Sequence, residues 1–134
     1  MEFDKDLTAR QEARTLAAAA EKAQHVLADM SQEKLDAIVE AVAAAFSDKA
    51  VVLAEMAVRE TGFGNVADKI IKNEFASQRV WEAIRNMRTV GILKEDPQEK
   101  IWEIGVPVGV IAAIVPSTNP TSTVCYLLKA KDNV

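Results

Sequence analysis

Cysteine, aromatic side chains and long apolar runs are scarce in this sequence. Cys125 is the only cysteine among 134 residues, so no disulfide can form within the chain and a reducing compartment is expected. Aromatic residues make up 5% of the chain, and alanine is abundant before residue 60, which is typical of a helical core. No apolar run is long enough to span a bilayer, and the charged N-terminus does not resemble a secretory signal.

An excess of basic charge is also absent. The net charge is −4, which argues against nucleic acid as the main partner because phosphate binding needs a concentrated basic surface. Hydrophobic residues make up 49% and charged residues 27%, the balance of a globular protein. His25 is the only histidine, and we predict no metal site. These features predict an acidic cytoplasmic protein without a membrane or nucleic-acid partner.

The chain from about residue 6 to residue 90 is predicted to form four helices. Ser31 is a candidate N-cap for the second helix, and Gly62 is expected to end the third because glycine accepts the left-handed conformation. The helices are expected at 6–29, 31–46, 48–61 and 66–87. The residues predicted to face inward are Leu35, Ile38, Val39, Val42 and Phe46, then Val52, Leu53, Met56 and Ala57, then Ile70, Ile71, Phe75, Trp81 and Ile84.

Strands are predicted over residues 100–116. The segment 100–107 alternates weakly and includes Trp102, whereas Val110–Val115 is continuously apolar and β-branched, which is typical of a strand buried in a parallel sheet. The chain supplies too few strands to complete such a sheet. We therefore predict an incomplete α/β domain over 1–134, in which a helical N-terminal layer precedes the first strands of a Rossmann-like fold. Its open apolar edge predicts self-association.

The loop Pro116–Thr123 follows the second predicted strand, where ligands bind in open parallel sheets. Asn119 carries a carboxamide whose NH₂ group could donate to a developing negative oxygen, and the prolines on either side of it stiffen the loop. The alternative is a simple connection in which Thr121 or Ser122 caps the next helix.

Three segments resemble the CoA-acylating aldehyde dehydrogenases, a family that includes acetaldehyde and sulfoacetaldehyde dehydrogenases and the aldehyde half of bifunctional aldehyde–alcohol dehydrogenases. They are Glu60–Gly64, Asp68–Ala76 and Gly105–Thr123, and the similarity runs in order from about Glu12 to Thr123. The last segment is the most specific. Non-acylating aldehyde dehydrogenases carry tryptophan before the asparagine, where this chain has Thr118.

The resemblance implies an NAD-dependent oxidoreductase that converts an aldehyde and coenzyme A to acyl-CoA and NADH. Acetaldehyde is the default substrate, and sulfoacetaldehyde and propionaldehyde are alternatives. The family includes enzymes of bacterial microcompartments, so that location is an alternative to the cytoplasm. In the family a cysteine thiolate adds to the aldehyde, hydride passes to NAD, and coenzyme A captures the thioester. Asn119 would be the oxyanion donor. The residues that would line the nicotinamide side of the cofactor cleft are Ile114, Val115, Pro116, Ser117 and Thr118. The resemblance also implies a homo-oligomer.

Other reactive residues are not predicted to be catalytic. Cys125 lies on a helix expected to be buried, without a basic neighbour to lower its pKa, and the family's nucleophile lies beyond the length of this chain. Glu60 and Glu74 match no general base of the family. Lys69 and Lys72 are predicted to form a solvated helix face. From Leu128 onward the family's pattern arrives about one helical turn early.

Two functions follow from these observations. The first is the N-terminal portion of an acylating aldehyde dehydrogenase, inactive by itself because the nucleophile is missing. The alternative is a non-catalytic helical interaction or oligomerisation module, or a degenerate remnant of such an enzyme. The loop Pro116–Thr123 favours the first, because a docking module does not need it.

Overall fold

The structure is a computed structural model that describes residues 4–129. Six α-helices and two strands follow one another in the order α1 to α5, β1, β2 and α6, and a π-helical turn lies between α4 and α5. The elements are α1 (Lys5–Ala28), α2 (Gln32–Asp48), α3 (Ala50–Thr61), α4 (Val66–Glu74), the π turn (Phe75–Arg79), α5 (Val80–Ile84), β1 (Gly91–Asp96), β2 (Ile101–Gly105) and α6 (Pro120–Lys129). The prediction that the family's pattern arrives early from Leu128 onward concerns mostly residues 130–134, which lie outside the described residues.

The first three helices begin and end close to the predicted positions. Gly62 has a φ of 69° directly after α3, which confirms the predicted left-handed helix end. Ser31 precedes α2, although its side chain makes no capping hydrogen bond. α1 is capped by Asp4, whose carboxylate accepts the N–H of Asp6 at 3.1 Å. None of the residues of α1 is buried, so this helix lies outside the core of the described residues.

The core forms where α2, α3, α4, the π turn and α6 pack together. Most of its buried apolar members are alanines, which lets the helix backbones approach closely. The members are Leu35, Val39, Ala43, Ala50, Ala54, Ala57, Ala76 and Cys125. The predicted inward stripe of α3 is wrong in part, because Val52 and Met56 are exposed and the alanine face of the helix is buried instead.

The predicted fourth helix is interrupted and rotated. Residues 75–79 form a π-helical turn, and Ile71 and Phe75 are exposed although both were predicted to face inward. Polar side chains of α4 and the π turn take their place in the interior, because each of them is hydrogen-bonded. Lys69 bonds to the loop before α6, Asn73 bonds to α3 and α6, and Ser77 bonds to carbonyls of α4. Lys69, Asn73 and Ser77 are all buried, so the prediction that Lys69 is solvated is also wrong.

The strands form one antiparallel pair. β1 was not predicted, and it pairs with β2 from Gly91 opposite Gly105 to Asp96 opposite Ile101. The intervening turn includes Lys100 at a φ of 55°. β2 lies in the predicted strand region and exposes Trp102.

The predicted buried strand Val110–Val115 is not formed. Residues 106–116 have no regular secondary structure, and the side chain of Ile114 is 97% exposed. A strand needs a neighbour to bond its N–H and C=O groups, and no other described strand lies beside this segment. The apolar sequence is therefore present without the sheet that would cover it. The described part of the chain is mostly helical, as an incomplete α/β domain would be.

The uncovered segment predicts self-association of the isolated chain. The segment exposes a run of large apolar side chains, which favours contact between molecules. We therefore expect sedimentation velocity to show concentration-dependent oligomers. Replacing Ile111 and Ile114 by lysine should shift the population toward monomer, whereas Val52→Lys, on the exposed face of α3, should not. A parent chain that stays monomeric at all concentrations would contradict this expectation.

No helix within residues 4–129 is long and apolar enough to cross a membrane.

Candidate functional site

Asn119 lies at the junction between the loop and α6. Its backbone N–H donates to the carbonyl of Pro116 at 3.3 Å, which closes a turn, and its own carbonyl accepts the N–H of Thr123 at 3.2 Å in the first turn of α6. The side chain therefore starts from a backbone position that both the turn and the helix hold. It is partly exposed, as a group that meets a ligand must be.

Helix α4 holds the loop on both sides of Asn119. The ammonium of Lys69 donates to the carbonyl of Thr118 at 2.7 Å, and this lysine is only 5% exposed. The hydroxyl of Thr121 donates to Oδ1 of Asn73 at 2.8 Å. Two side chains of one helix thus bind the residue before Asn119 and the second residue after it.

Asn73 also ties this arrangement to α3. Its Nδ2 donates to the carbonyl of Ala50 at 3.0 Å, and the side chain is 2% exposed. The hydroxyl of Ser77 donates to the backbone carbonyl of Asn73 at 2.7 Å. A buried amide with both ends bonded is a rigid link, since every alternative orientation would leave a polar group without a partner.

Lys72 reaches the Asn119 side chain itself. Its ammonium lies 3.3 Å from Oδ1 of Asn119, at a site that is open to solvent. A groove of about 320 Å³ borders the pair, and its lining residues are Ile71, Lys72, Phe75, Asn119, Ser122 and Tyr126. An amide donor and a cation therefore lie on the wall of a largely apolar groove.

The residues predicted to face the nicotinamide do not enclose a cofactor site. Ile114, Val115, Pro116, Ser117 and Thr118 are all exposed, so their side chains are not enclosed by other described residues. They could supply one wall of a dinucleotide site, and the described residues 4–129 do not supply the others.

Cys125 is buried, as the sequence predicted. Its side chain is 0% exposed, and its Sγ lies 3.5 Å from the carbonyl of Ala76. Burial raises the pKa of the thiol. The prediction that it has no basic neighbour is wrong, because the nearby ammonium of Lys129 offsets this rise in part. Lys129 is buried as well and donates to the carbonyls of Ala76 and Ser77, and burial lowers its pKa. This thiol lacks both the access and the acidity of a nucleophile.

The burial of Cys125 predicts slow reaction with thiol reagents. At pH 7.5 we expect the folded chain to react with an aromatic disulfide reagent at least about 10-fold more slowly than the same chain in urea, because the thiolate is both disfavoured and covered. The reaction is followed by absorbance, and the chain in urea is the reference. Equal rates in the two states would show that the thiol is accessible.

The sequence singles out Asn119 as a candidate, and it does not point to the three residues of α4 that contact the loop of Asn119. Lys69, Lys72 and Asn73 occupy positions i, i+3 and i+4, which share one face of a helix. That spacing was the available signal. It does not by itself indicate buried contacts, because charged residues on a helix are usually solvated. Among residues 4–129 no cluster of three or more metal-binding side chains occurs.

Comparison with known proteins places the chain in a family. The family model described as "Aldehyde dehydrogenase family" matches residues 5–129. The bifunctional aldehyde-alcohol dehydrogenase of Escherichia coli K12 is 46% identical over 105 residues, which cover 78% of this chain and 12% of that protein. The acylating sulfoacetaldehyde dehydrogenase of Cupriavidus necator is 44% identical over 108 residues, covering 79% of this chain and 22% of that protein.

Solved structures agree. An acetylating aldehyde dehydrogenase from Geobacillus thermoglucosidasius superposes with a TM-score of 0.93 at 47% identity, covering 98% of this chain and 30% of that one. A probable aldehyde dehydrogenase from Listeria monocytogenes EGD-e gives a TM-score of 0.92 at 51% identity, covering 96% of this chain and 29% of that one. The chain spans less than a third of each of these four proteins. It belongs to the aldehyde dehydrogenase family, and its sequence groups it with the acylating members.

Proposed function

We propose that this chain is the N-terminal portion of an NAD-dependent, CoA-acylating aldehyde dehydrogenase and that Asn119 is its oxyanion donor. The complete reaction converts an aldehyde, coenzyme A and NAD to acyl-CoA, NADH and a proton. The observation that carries the proposal is the fixed carboxamide of Asn119. Its oxygen faces the ammonium of Lys72 at 3.3 Å, so its NH₂ group is the end available to a ligand.

The chemistry assigned to this chain is electrostatic. When a nucleophile adds to an aldehyde carbon, the carbonyl oxygen becomes negative, and a donor already in place stabilises it without reorganisation. Asn119 is such a donor because its backbone is held at Pro116 and at Thr123. NAD, when bound in the complete enzyme, accepts the hydride. Residues 114–118 would form one wall of that cofactor's site.

The isolated chain is proposed to be inactive. Cys125 is buried behind the π turn, and the described residues offer no other thiol. The exposed residues 114–118 have no opposing wall, so NAD should bind weakly or not at all. The nucleophile, the general base and the remaining walls of the cofactor site belong to other parts of a complete enzyme.

Helix α1 supports the proposed homo-oligomer. The helix is capped at its start by Asp4. Four of its large apolar side chains are well exposed, namely Leu7, Leu16, Val26 and Leu27. Nothing else in residues 4–129 buries them. A neighbouring subunit is the partner that we propose for this face.

The proposal is tested with a chimera. Residues 5–129 of this chain replace the matching segment of the Geobacillus thermoglucosidasius enzyme, to which the chain is 47% identical. We expect the chimera to reduce NAD in the presence of acetaldehyde and CoA at a rate within about 10-fold of the parent, and the isolated chain to show no such rate. A second chimera that exchanges only Val66–Glu74 and Pro116–Thr123 guards against misfolding. Two folded but inactive chimeras would overturn the proposal.

A further inference from the structure

The face of α4 toward the loop contacts three successive parts of it. Lys69 binds the carbonyl of Thr118, Lys72 binds the side chain of Asn119, and Asn73 binds the hydroxyl of Thr121. All three contacts come from one helical turn and reach residues more than 45 positions away in the chain. The loop conformation is therefore set by α4 and does not depend on its own two prolines alone.

The contact with Lys72 differs in kind from the other two. Lys69 and Asn73 are buried and fix the backbone and the helix start, whereas Lys72 is exposed and hydrogen-bonds the carboxamide of Asn119. Its removal should leave the packing of the core unchanged. The contact therefore adds little to the free energy of unfolding, because an exposed polar contact contributes little to folding.

The chemistry of the two groups gives the contact a direction. The two ends of a carboxamide are nearly equal in size, so sterics alone do not decide which end faces the groove. An ammonium has donors and no acceptor, so it can bind the oxygen of Asn119 and never the NH₂. With the oxygen taken, the NH₂ group is the end that can meet a substrate. A flipped amide would present its oxygen to a developing negative charge and repel it.

We propose that Lys72 is a positioning residue that sets the orientation of the Asn119 carboxamide, so that its NH₂ group faces the groove. This deepens the proposed function, and it rests on that function for its catalytic meaning. The proposed orientation of the Asn119 carboxamide does not depend on that function, because it is a property of the chain whether or not the complete enzyme oxidises aldehydes.

The first test measures the amide itself in the full chain. In ¹⁵N relaxation experiments the Asn119 side-chain NH₂ should be ordered in the parent and in Lys72→Arg, because arginine also has only donors. In Lys72→Ala its order parameter should fall to below about 0.6, the range of mobile groups. Lys34→Ala, an exposed lysine on α2, is the matched control and should change nothing. An Asn119 NH₂ that is equally ordered in Lys72→Ala and in the parent would overturn the proposal.

The second test uses the chimera and separates this proposal from the proposed function. We expect Lys72→Ala to lower kcat about 10- to 100-fold with little change in KM, and Lys72→Arg to restore most of it. The same substitution should have almost no further effect in an Asn119→Ala background, because Lys72 acts through Asn119. Equal losses in both backgrounds would overturn the positioning role. If Asn119→Ala alone leaves the rate unchanged, the proposed function fails while the relaxation result still decides the orientation.

Discussion

Replacing Asn119 by alanine in the chimera is expected to lower kcat/KM by about 100- to 1000-fold. Removal of one oxyanion donor costs about 2.7–4 kcal/mol of transition-state stabilisation. The loss should appear mainly in kcat, since the oxygen becomes negative only after the nucleophile has added. Steady-state NADH formation at saturating CoA measures it.

Two further variants make the Asn119 result specific. Asn119→Asp has the same shape but lacks the NH₂ donor, so it should be as inactive as the alanine variant. Asn86→Ala removes an exposed asparagine after α5, far from the loop in the sequence, and should stay within about twofold of the parent. A chimera that keeps its kcat/KM without Asn119 would remove the oxyanion role from this residue.

Replacing Asn73 by alanine is expected to destabilise the chain by about 2 kcal/mol. The substitution removes two side-chain hydrogen bonds, to Ala50 and from Thr121, at a position that is 2% exposed, and it leaves a small cavity. Because the lost bonds join α3, α4 and α6, urea unfolding followed by circular dichroism should shift to lower concentration.

The same control serves the stability measurement. Asn86→Ala should change the free energy of unfolding by less than about 0.5 kcal/mol, since its side chain is exposed. Asn73→Asp keeps the size of the side chain but cannot donate to the carbonyl of Ala50. Its free energy of unfolding should therefore be lower than that of the parent. A change at Asn73 no larger than that at Asn86 would show that the buried amide does not link the three helices.

The parts of the fold that local chemistry decides were predictable from the sequence. Gly62 ends α3 because only a residue that tolerates a positive φ can follow that helix. The parts that depend on distant partners were not. β1 has no strong alternation and forms because β2 returns beside it, whereas Val110–Val115 has the sequence of a buried strand and lacks a described neighbour.

The candidate site also combines a residue that the local sequence points to with residues that depend on distant partners. Asn119 could be predicted because the loop sequence and the resemblance both single it out. Lys69 and Asn73 could not, because their burial depends on contacts with the loop, which lies more than 40 residues later in the chain. The π turn packs against α2 and α6, so its position also depends on partners that are distant in the sequence.

We propose above all that this chain is the N-terminal portion of a complete acylating dehydrogenase. The intact mass of the native protein from its source tests this most directly. We expect a mass several times 14.6 kDa, because the chain spans only a small share of each relative. A native protein of 14.6 kDa with no further subunit of the enzyme bound to it would contradict the account.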